Sequence, residues 1–133
     1  MQTNWIYKDK IIKTHSDLPT GTIGFTYIIK YDTGEMYVGK KLTESEVRIK
    51  PLVGMRKNAK RTKIKSHKFD EYEGSSKLSE GKNILSKEIL GFYSDKINLT
   101  YAEAELMIKL DVLRDSKYIN GNILGKFFRG KIL

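Results

Sequence analysis

Two tyrosines, a lysine and a carboxylate occur in an order that could support phosphodiester hydrolysis. Nine residues separate Tyr27 from Tyr37, Lys40 follows shortly after, and Glu103 falls on a predicted helix. Cleavage builds negative charge on the phosphate, which a cationic side chain or a magnesium ion held by one or two carboxylates would stabilise. A tyrosine could act as the base only if a cation such as Lys40 or the metal lowered its pKa from about 10.

The positive charge of the chain is concentrated in one segment. Between Lys40 and Lys68 there are eleven Lys or Arg and two Glu, so this segment carries the whole net charge of +9. The commonest partner of such a local positive field is a phosphate backbone, and a solvated basic loop is the alternative. The segment therefore favours nucleic-acid binding.

Length and composition indicate one folded domain. The 133 residues, 39% of them hydrophobic, can build one modest core. The absence of cysteine excludes disulfides and thiolate metal sites. No apolar stretch approaches the roughly 20 residues that span a bilayer, and the first residues lack the pattern of a signal peptide. We therefore expect a cytoplasmic protein with no membrane partner.

The residues around the two tyrosines predict a β-hairpin. Ile23 to Tyr31 has the period of two that is typical of a strand, and Met36 begins the return strand. Gly34 supplies the positive φ of the connecting turn. One face of the first strand should then carry Phe25, Tyr27, Ile29 and Tyr31.

The other elements are predicted from shorter patterns. Trp5 to Ile12 indicates one short strand, and Ile84 to Tyr93 a third strand, with a helix as the alternative for its first half. Leu42 to Lys50 favours a short helix. Met55 to Lys65 has little apolar content and is expected to be mobile.

Thr100 to Arg114 predicts the principal helix, with an apolar stripe and Thr100 as its N-cap. Glu103 would then complete a capping box, which is its structural alternative to a metal-binding role. The rival carboxylate is Glu105, but Lys109 four residues later predicts a surface ion pair for it. Glu103 shares its flank with Met107, nearer the buried side, which favours Glu103 as the inward-facing ligand.

The hairpin carries a recognisable pair of motifs. Phe25-Thr26-Tyr27, followed after nine residues by Tyr37-Val38-Gly39, resembles the motif pair of the GIY-YIG nuclease superfamily. The second motif has Val for Ile, and the first has Phe-Thr where Gly-Ile is expected. Further segments similar to phage-encoded homing-type endonucleases follow in order, so that the resemblance runs from about Trp5 to Arg129. They include Tyr72-x-Gly74-Ser75-Ser76, Lys87-Glu88-Ile89-Leu90, Tyr101-x-Glu103-Ala104, Asp111-Val112-Leu113 and Tyr118-Ile119-Asn120-Gly121-Asn122-Ile123.

This resemblance implies the fold and the activity. The fold would be α+β, with a small antiparallel three-stranded sheet flanked by helices, in a single domain over residues 1–133 with a basic insertion at about 48–68. The activity would be that of a phage-encoded DNA endonuclease dependent on Mg²⁺ (or Mn²⁺), acting in the cytoplasm of an infected bacterium. One active site would cut one strand, and a homodimer on DNA is one route to double-strand cutting.

The resemblance also implies roles for individual residues. Tyr27 would be the general base or assist it, Tyr37 would support it, and Lys40 would contact phosphate or a metal-bound water. An arginine on the next helix would stabilise the transition state; Arg48 is the best match, with Arg56 and Arg61 as alternatives. Glu103 would hold the metal, while Gly39 and Asn120 would support the site structurally. The predicted nucleic-acid contacts are Lys41, Arg56, Lys57, Lys60, Arg61, Lys63, Lys65, Ser75 and Ser76.

Two other functions remain open from the sequence. The altered first motif leaves room for a nucleic-acid-binding protein that has lost catalysis. A phage protein whose basic loop docks an acidic host protein is a weaker alternative. Recognition of a target is expected to be loose or to reside between Arg56 and Lys68.

Overall fold

The computed structural model, which describes residues 3–57 and 61–133, has an α+β architecture. Within the described residues there are nine strands and one α-helix, α1 (Lys96–Lys109). The strands are β1 (Trp5–Tyr7), β2 (Lys10–Ile12), β3 (Gly24–Tyr31), β4 (Met36–Leu42), β5 (Glu44–Arg48), β6 (Thr62–Ser66), β7 (Ile84–Tyr93), β8 (Asn122–Ile123) and β9 (Phe127–Phe128).

The central layer is a mixed five-stranded sheet of order β2-β1-β7-β3-β4. Strand β1 pairs with β7 in parallel, and β3 is antiparallel to both of its neighbours. The predicted strands Ile23 to Tyr31 and Ile84 to Tyr93 are confirmed within one residue. Gly34 has a φ of +88°, as the turn between β3 and β4 was expected to require.

The two faces of the sheet carry separate cores. One face bears the alternate residues of β3 that the sequence predicted, packed as an aromatic cluster with residues of β1 and of the 67–76 loop; its buried members include Trp5, Phe25, Tyr27, Ile29, Tyr31 and Phe69. The opposite face packs against α1 and the segment after it through Ile28, Val38, Met107, Val112 and Leu113. We call these the aromatic face and the helix face.

Close packing of α1 on the sheet depends on one glycine. A Cβ atom built on Gly24 would lie 2.5 Å from a Leu99 methyl group and 2.8 Å from the Lys41 carbonyl oxygen. Because the second neighbour is backbone, it cannot move aside as a side chain could. Gly24 therefore sets how near the helix can come to the hairpin.

Several predictions about the elements are wrong. The sheet has five strands rather than three, and within the described residues one helix packs on it rather than several. Leu42 to Lys50 contains strand β5, not a helix. Strand β6 begins at Thr62 within the segment Met55 to Lys65, for which the sequence predicted no strand. The single strand predicted over Trp5 to Ile12 is two strands joined at Lys8 and Asp9, which have φ values of 46° and 69°.

No helix within the described part of the chain has both the length and the apolar character needed to cross a bilayer.

Candidate functional site

The candidate site lies along the outer edge of strand β4. Val38 directs its N–H and C=O away from β3, where the Asn120 side chain accepts from the nitrogen at 3.1 Å and donates to the oxygen at 2.8 Å. Asn120 is 1% exposed, so it replaces a missing strand neighbour in a buried position. This geometry supports the predicted structural role of Asn120, since it fixes the backbone between Tyr37 and Gly39.

The Glu103 carboxylate occupies the same edge two residues further along. Peptide groups alternate in direction along a strand, so Lys40 presents its N–H on the same side as Val38. The Glu103 carboxylate lies near this N–H, which together with the Lys40 charge counteracts the rise in its pKa that burial causes. Asn120 and Glu103 thus stand side by side along β4.

The helix places Glu103 on its inward stripe. Helix α1 begins at Lys96, where Asp95 accepts from the Asn98 N–H at 2.7 Å, so the prediction that Thr100 caps the helix is wrong. Leu99, Glu103 and Met107 follow at intervals of four, and the two apolar neighbours are 0% and 6% exposed. Glu103 is therefore in the helix interior, and the capping box no longer accounts for it.

Lys40 and Thr100 stand beside this carboxylate. The Lys40 ammonium donates to the Thr100 hydroxyl at 2.7 Å. Partial burial raises the pKa of the Glu103 carboxyl, while the nearby Lys40 charge acts in the opposite direction. The predicted ion pair of the rival carboxylate is confirmed, because Glu105 lies 3.8 Å from Lys109 on the exposed side of the helix.

Tyr27 is enclosed on the aromatic face. It is 1% exposed, and its ring lies 6.2 Å from that of Tyr37 and 6.0 Å from that of Tyr72. A Cβ atom at Gly39 would lie 2.6 Å from the Tyr27 hydroxyl oxygen, so the glycine of the second motif makes room for this phenol. Burial, followed by the neighbouring Tyr72 and Tyr37, raises the pKa of Tyr27 well above its ordinary value.

Lys40, one of the two cations that could lower the pKa of Tyr27, lies on the other face of the hairpin. Lys40 is paired with Thr26, so both side chains lie on the helix face, whereas Tyr27 points to the aromatic face. The Glu103 charge acts on Tyr27 as well, and it too raises the pKa. Tyr27 consequently keeps its proton at neutral pH in this geometry.

Tyr37 is the more accessible phenol of the pair. It is half-buried, and its hydroxyl lies 3.3 Å from that of the exposed Ser75. Burial raises the pKa of Tyr37, and the hydrogen bond to Ser75 opposes this shift. Ser75 therefore joins the candidate site, whereas Ser76 uses its side chain to accept from the Leu78 N–H at the start of a short turn.

Tyr72 and Arg129 are contributors to which the sequence assigned no role. Tyr72 packs between Tyr27 and Lys41, whose ammonium lies 4.7 Å from the Tyr72 ring centre. Arg129 donates to the carbonyl of Asn120 at 2.9 Å and to that of Tyr118 at 2.6 Å, and so holds the segment that carries Asn120. The spacing Tyr72-x-Gly74 was the sequence feature that could have indicated a role for Tyr72. Gly74, with a φ of +89°, turns the loop that carries Tyr72 against the ring of Tyr37.

Apart from Lys41, which lies on β4, the predicted nucleic-acid-binding basic residues and Arg48 belong to the segment that follows this strand. Arg48 is exposed at the far end of β5, about 13 Å along the strand from Glu44 at 3.3 Å per residue, and not on a helix. Lys63 and Lys65 lie on β6, and Arg56, Lys57 and Arg61 lie between the two strands in the chain. Lys60 lies outside the described residues.

The donor set at the β4 edge fits a hard cation with few protein ligands. Among residues 3–57 and 61–133 there is no group of three or more His, Asp or Glu side chains that could hold a metal. Magnesium commonly takes one or two carboxylates and keeps several waters, so one half-buried carboxylate on an open strand edge suits it. Glu103 is the residue that would hold it.

Comparison with known proteins identifies the family. Residues 5–123 match the family model described as "Putative endonuclease segE, GIY-YIG domain". No curated protein and no solved structure shows a significant match. The matched span includes both tyrosine motifs, α1 with Glu103, and Asn120. The chain therefore belongs to the GIY-YIG endonuclease superfamily, as the resemblance of its hairpin motifs indicated.

Proposed function

We propose that this protein is a metal-dependent DNA endonuclease that hydrolyses phosphodiester bonds. The observation that carries the proposal is the position of Glu103, whose carboxylate is brought by the inward stripe of α1 to the open edge of β4 beside Lys40. A carboxylate held half-buried within a helix stripe is unfavourable for stability, and such placements cluster at functional sites. Membership of an endonuclease family supports the same reading.

Glu103 would hold one Mg²⁺ (or Mn²⁺) ion in this site. When bound, the ion supplies Lewis-acid stabilisation of the negative charge that develops on the phosphate. Lys40, held by Thr100 at 2.7 Å, is placed to contact a phosphate oxygen near the same carboxylate. Its compact ammonium suits this role as a point charge.

The tyrosines orient and donate rather than accept protons in the resting structure. Tyr37, hydrogen-bonded to Ser75, is the phenol that a phosphate or water at the β4 edge could reach. Tyr27 keeps its proton, and its ring packs beside that of Tyr37. A base role for Tyr27, the original prediction, requires a movement that exposes its hydroxyl and a cation that lowers its pKa.

The arginine of the reaction is proposed to come from the basic segment. Arg48 remains the first assignment from motif spacing, with Arg56 and Arg61 as alternatives. Arg48 is the last residue of β5, about four residues along the strand from its start beside the sheet. Arg48 and the β4 edge would therefore contact the same phosphate only if bound DNA drew the two together. We further propose a bacteriophage origin and action in the infected host cell, on the resemblance to phage-encoded endonucleases.

Nicking of supercoiled plasmid by the purified protein in Mg²⁺ or EDTA tests the proposal. Glu103→Ala should abolish nicking, while Glu105→Ala, a change on the exposed side of the same helix, should retain it. Equal nicking by wild type and Glu103→Ala in Mg²⁺ would refute the assignment of the metal ligand.

A second candidate function is nucleic-acid binding without catalysis. The enclosed, protonated Tyr27 favours it, because a phenol that is 1% exposed cannot take a proton from solvent without rearrangement. This function predicts salt-sensitive DNA binding, since phosphate contacts release counterions, and no nicking in any divalent metal.

A further inference from the structure

Strands β5 and β6 stand apart from the central sheet as a two-stranded arm. Strands β5 and β6 form a separate antiparallel ribbon, with Glu44 opposite Ser66 and Arg48 opposite Thr62. Every residue of β6 is exposed. Among the residues that the structure describes, the arm therefore belongs to neither core of the domain.

The base of the arm is fixed to the domain. Thr43 is 0% exposed, and its N–H donates to the Ile23 carbonyl at 2.8 Å. The Thr43 carbonyl accepts from the His67 N–H at 2.9 Å, and the His15 ring nitrogen lies 3.0 Å from the same oxygen. A ribbon anchored at both strands at its root holds its direction relative to the β4 edge.

The two faces of the arm differ in charge. By the alternation of strand residues, one face carries Ser45, Val47, Lys63 and Lys65, with two cations and no acid. The other face carries Glu44, Glu46 and Arg48, opposite Ser66, Ile64 and Thr62, and so has two acids and one cation. Glu44, Glu46 and Ile64 line, together with Ser45, a cleft of about 530 Å³ whose far wall includes Asp95 and Lys96. The two acids therefore turn towards the domain, whereas Val47, Lys63 and Lys65 take no part in the lining of this cleft.

The dimensions of the arm match a DNA groove. Two strands about 4.8 Å apart, each five residues and about 17 Å long, form a ribbon narrow enough for the major groove of B-form DNA, which is roughly 12 Å wide. The major groove of A-form RNA is too narrow for side chains to read. Lysines pair with the O6 and N7 acceptors of guanine, and apolar methyl groups such as those of Val47 contact the thymine methyl.

We propose that the β5–β6 arm inserts into the major groove of duplex DNA and reads base edges with Val47, Lys63 and Lys65, whereas the Ser45 hydroxyl, 2.7 Å from the His67 ring nitrogen, stays at the root of the arm. This inference rests on the proposed function in taking DNA as the substrate, and adds how the substrate is selected. The arm would fix the register of the duplex, and the β4 edge would meet a phosphate at a set distance from the bases that are read.

A variant that moves charge from one face to the other tests the inference. Thr62→Lys with Lys63→Thr, and Lys65→Ser with Ser66→Lys, keep the composition and net charge of β6 but put both lysines on the opposite face. All four positions are exposed, so the variant should fold, and circular dichroism checks this. Its DNA binding should keep the wild-type salt dependence because the number of cations is unchanged.

The full-length proteins would be used, in EDTA, to select duplexes from a pool of 30-base-pair DNA with a randomised centre. The wild type should select a preferred sequence, and replacing its purines by 7-deazapurines, which lack the N7 acceptor, should weaken binding at least about fivefold. The charge-moved variant should lose the preference, and an RNA duplex of the same sequence should compete poorly.

Three results would overturn the inference: no selected sequence, equal binding to the 7-deazapurine duplex, or the same preference in the charge-moved variant. Plasmid nicking in Mg²⁺, measured separately, keeps the two proposals distinct. Groove-dependent binding without nicking would support the arm and contradict the endonuclease, and nicking without groove dependence would do the reverse.

Discussion

Removal of the Asn120 side chain should destabilise the protein through the β4 edge. Asn120→Ala leaves the Val38 N–H and C=O without partners in a region where Asn120 itself is 1% exposed. A buried polar group without a partner costs about 1–3 kcal/mol, so the two together predict a loss of about 2–6 kcal/mol in the free energy of unfolding. For a domain of this size, that lowers the midpoint of thermal unfolding by roughly 7–21 °C.

Two variants separate this effect from a general loss of packing. Asn120→Asp has nearly the same shape but sets a second oxygen against the Val38 carbonyl, so it should also be destabilising at neutral pH. Asn122→Ala removes an exposed asparagine whose side chain accepts from the Gly125 N–H, and should cost no more than about 1 kcal/mol. Thermal unfolding followed by circular dichroism measures all three. An Asn120→Ala protein as stable as Asn122→Ala would refute the assignment of Asn120 as the partner of the strand edge.

Two further predictions concern the tyrosine motif. Gly39→Ala places a Cβ atom 2.6 Å from the Tyr27 oxygen and 2.8 Å from its ring, and should lower the free energy of unfolding by about 1–3 kcal/mol, as measured by urea unfolding. The control, Gly121→Ala, has no atom within 4 Å of its Cβ and should lower it by less. Equal losses of stability in the two variants would contradict the contact between Gly39 and Tyr27. Tyr27 keeps its proton in the folded state because its pKa is raised, so its contribution to stability is complete below about pH 10, the unfolded pKa, and is lost as the pH rises towards the folded pKa. Tyr27→Phe should therefore weaken the fall in stability above about pH 10, as measured by urea unfolding at several pH values, and an unchanged fall would show that Tyr27 ionises normally.

The sequence predicted the hairpin and β7 well because these strands have a buried face. The alternate residues from Phe25 to Tyr31 pack in the aromatic cluster and must be apolar or aromatic, so the period of two is visible in the sequence. Strand β5 has no such constraint: with Glu44, Glu46 and Arg48 on one side and Ser45 and Val47 on the other, neither face is apolar throughout. A ribbon without a core face leaves no periodic signal, and its residues were assigned to a helix for that reason.

The helix boundary was missed because the sequence offers two capping patterns. Asp95 with Asn98 and Thr100 with Glu103 both satisfy the local rules for a helix start. Burial decides between them, since Leu99 at 0% exposure packs against Gly24 only if the helix has already begun. The turn at Lys8 and Asp9 was missed because its positive φ values are borne by residues other than glycine.

The candidate site was predictable where a motif fixes a backbone position and less so where tertiary packing acts. Gly39 and Asn120 have the structural positions expected of them, and the orientation of Glu103 followed from its flank on the helix. The spacing of the motifs does not show that Lys40 and Tyr27 project from opposite faces of one hairpin, so it could not decide whether Lys40 or the metal would act on Tyr27. Arg129 donates hydrogen bonds to the backbone carbonyls of Asn120 and Tyr118, and no local sequence pattern reveals these contacts.

The measurement that bears most directly on the central claim is nicking of supercoiled plasmid by the wild type, Glu103→Ala and Glu105→Ala in Mg²⁺ and in EDTA. The geometry of the β4 edge predicts nicking that requires Mg²⁺, survives in Glu105→Ala and is lost in Glu103→Ala while all three proteins remain folded. Mg²⁺-dependent nicking that is unchanged in Glu103→Ala, or is lost in Glu105→Ala instead, would contradict the assignment of this edge as the active site.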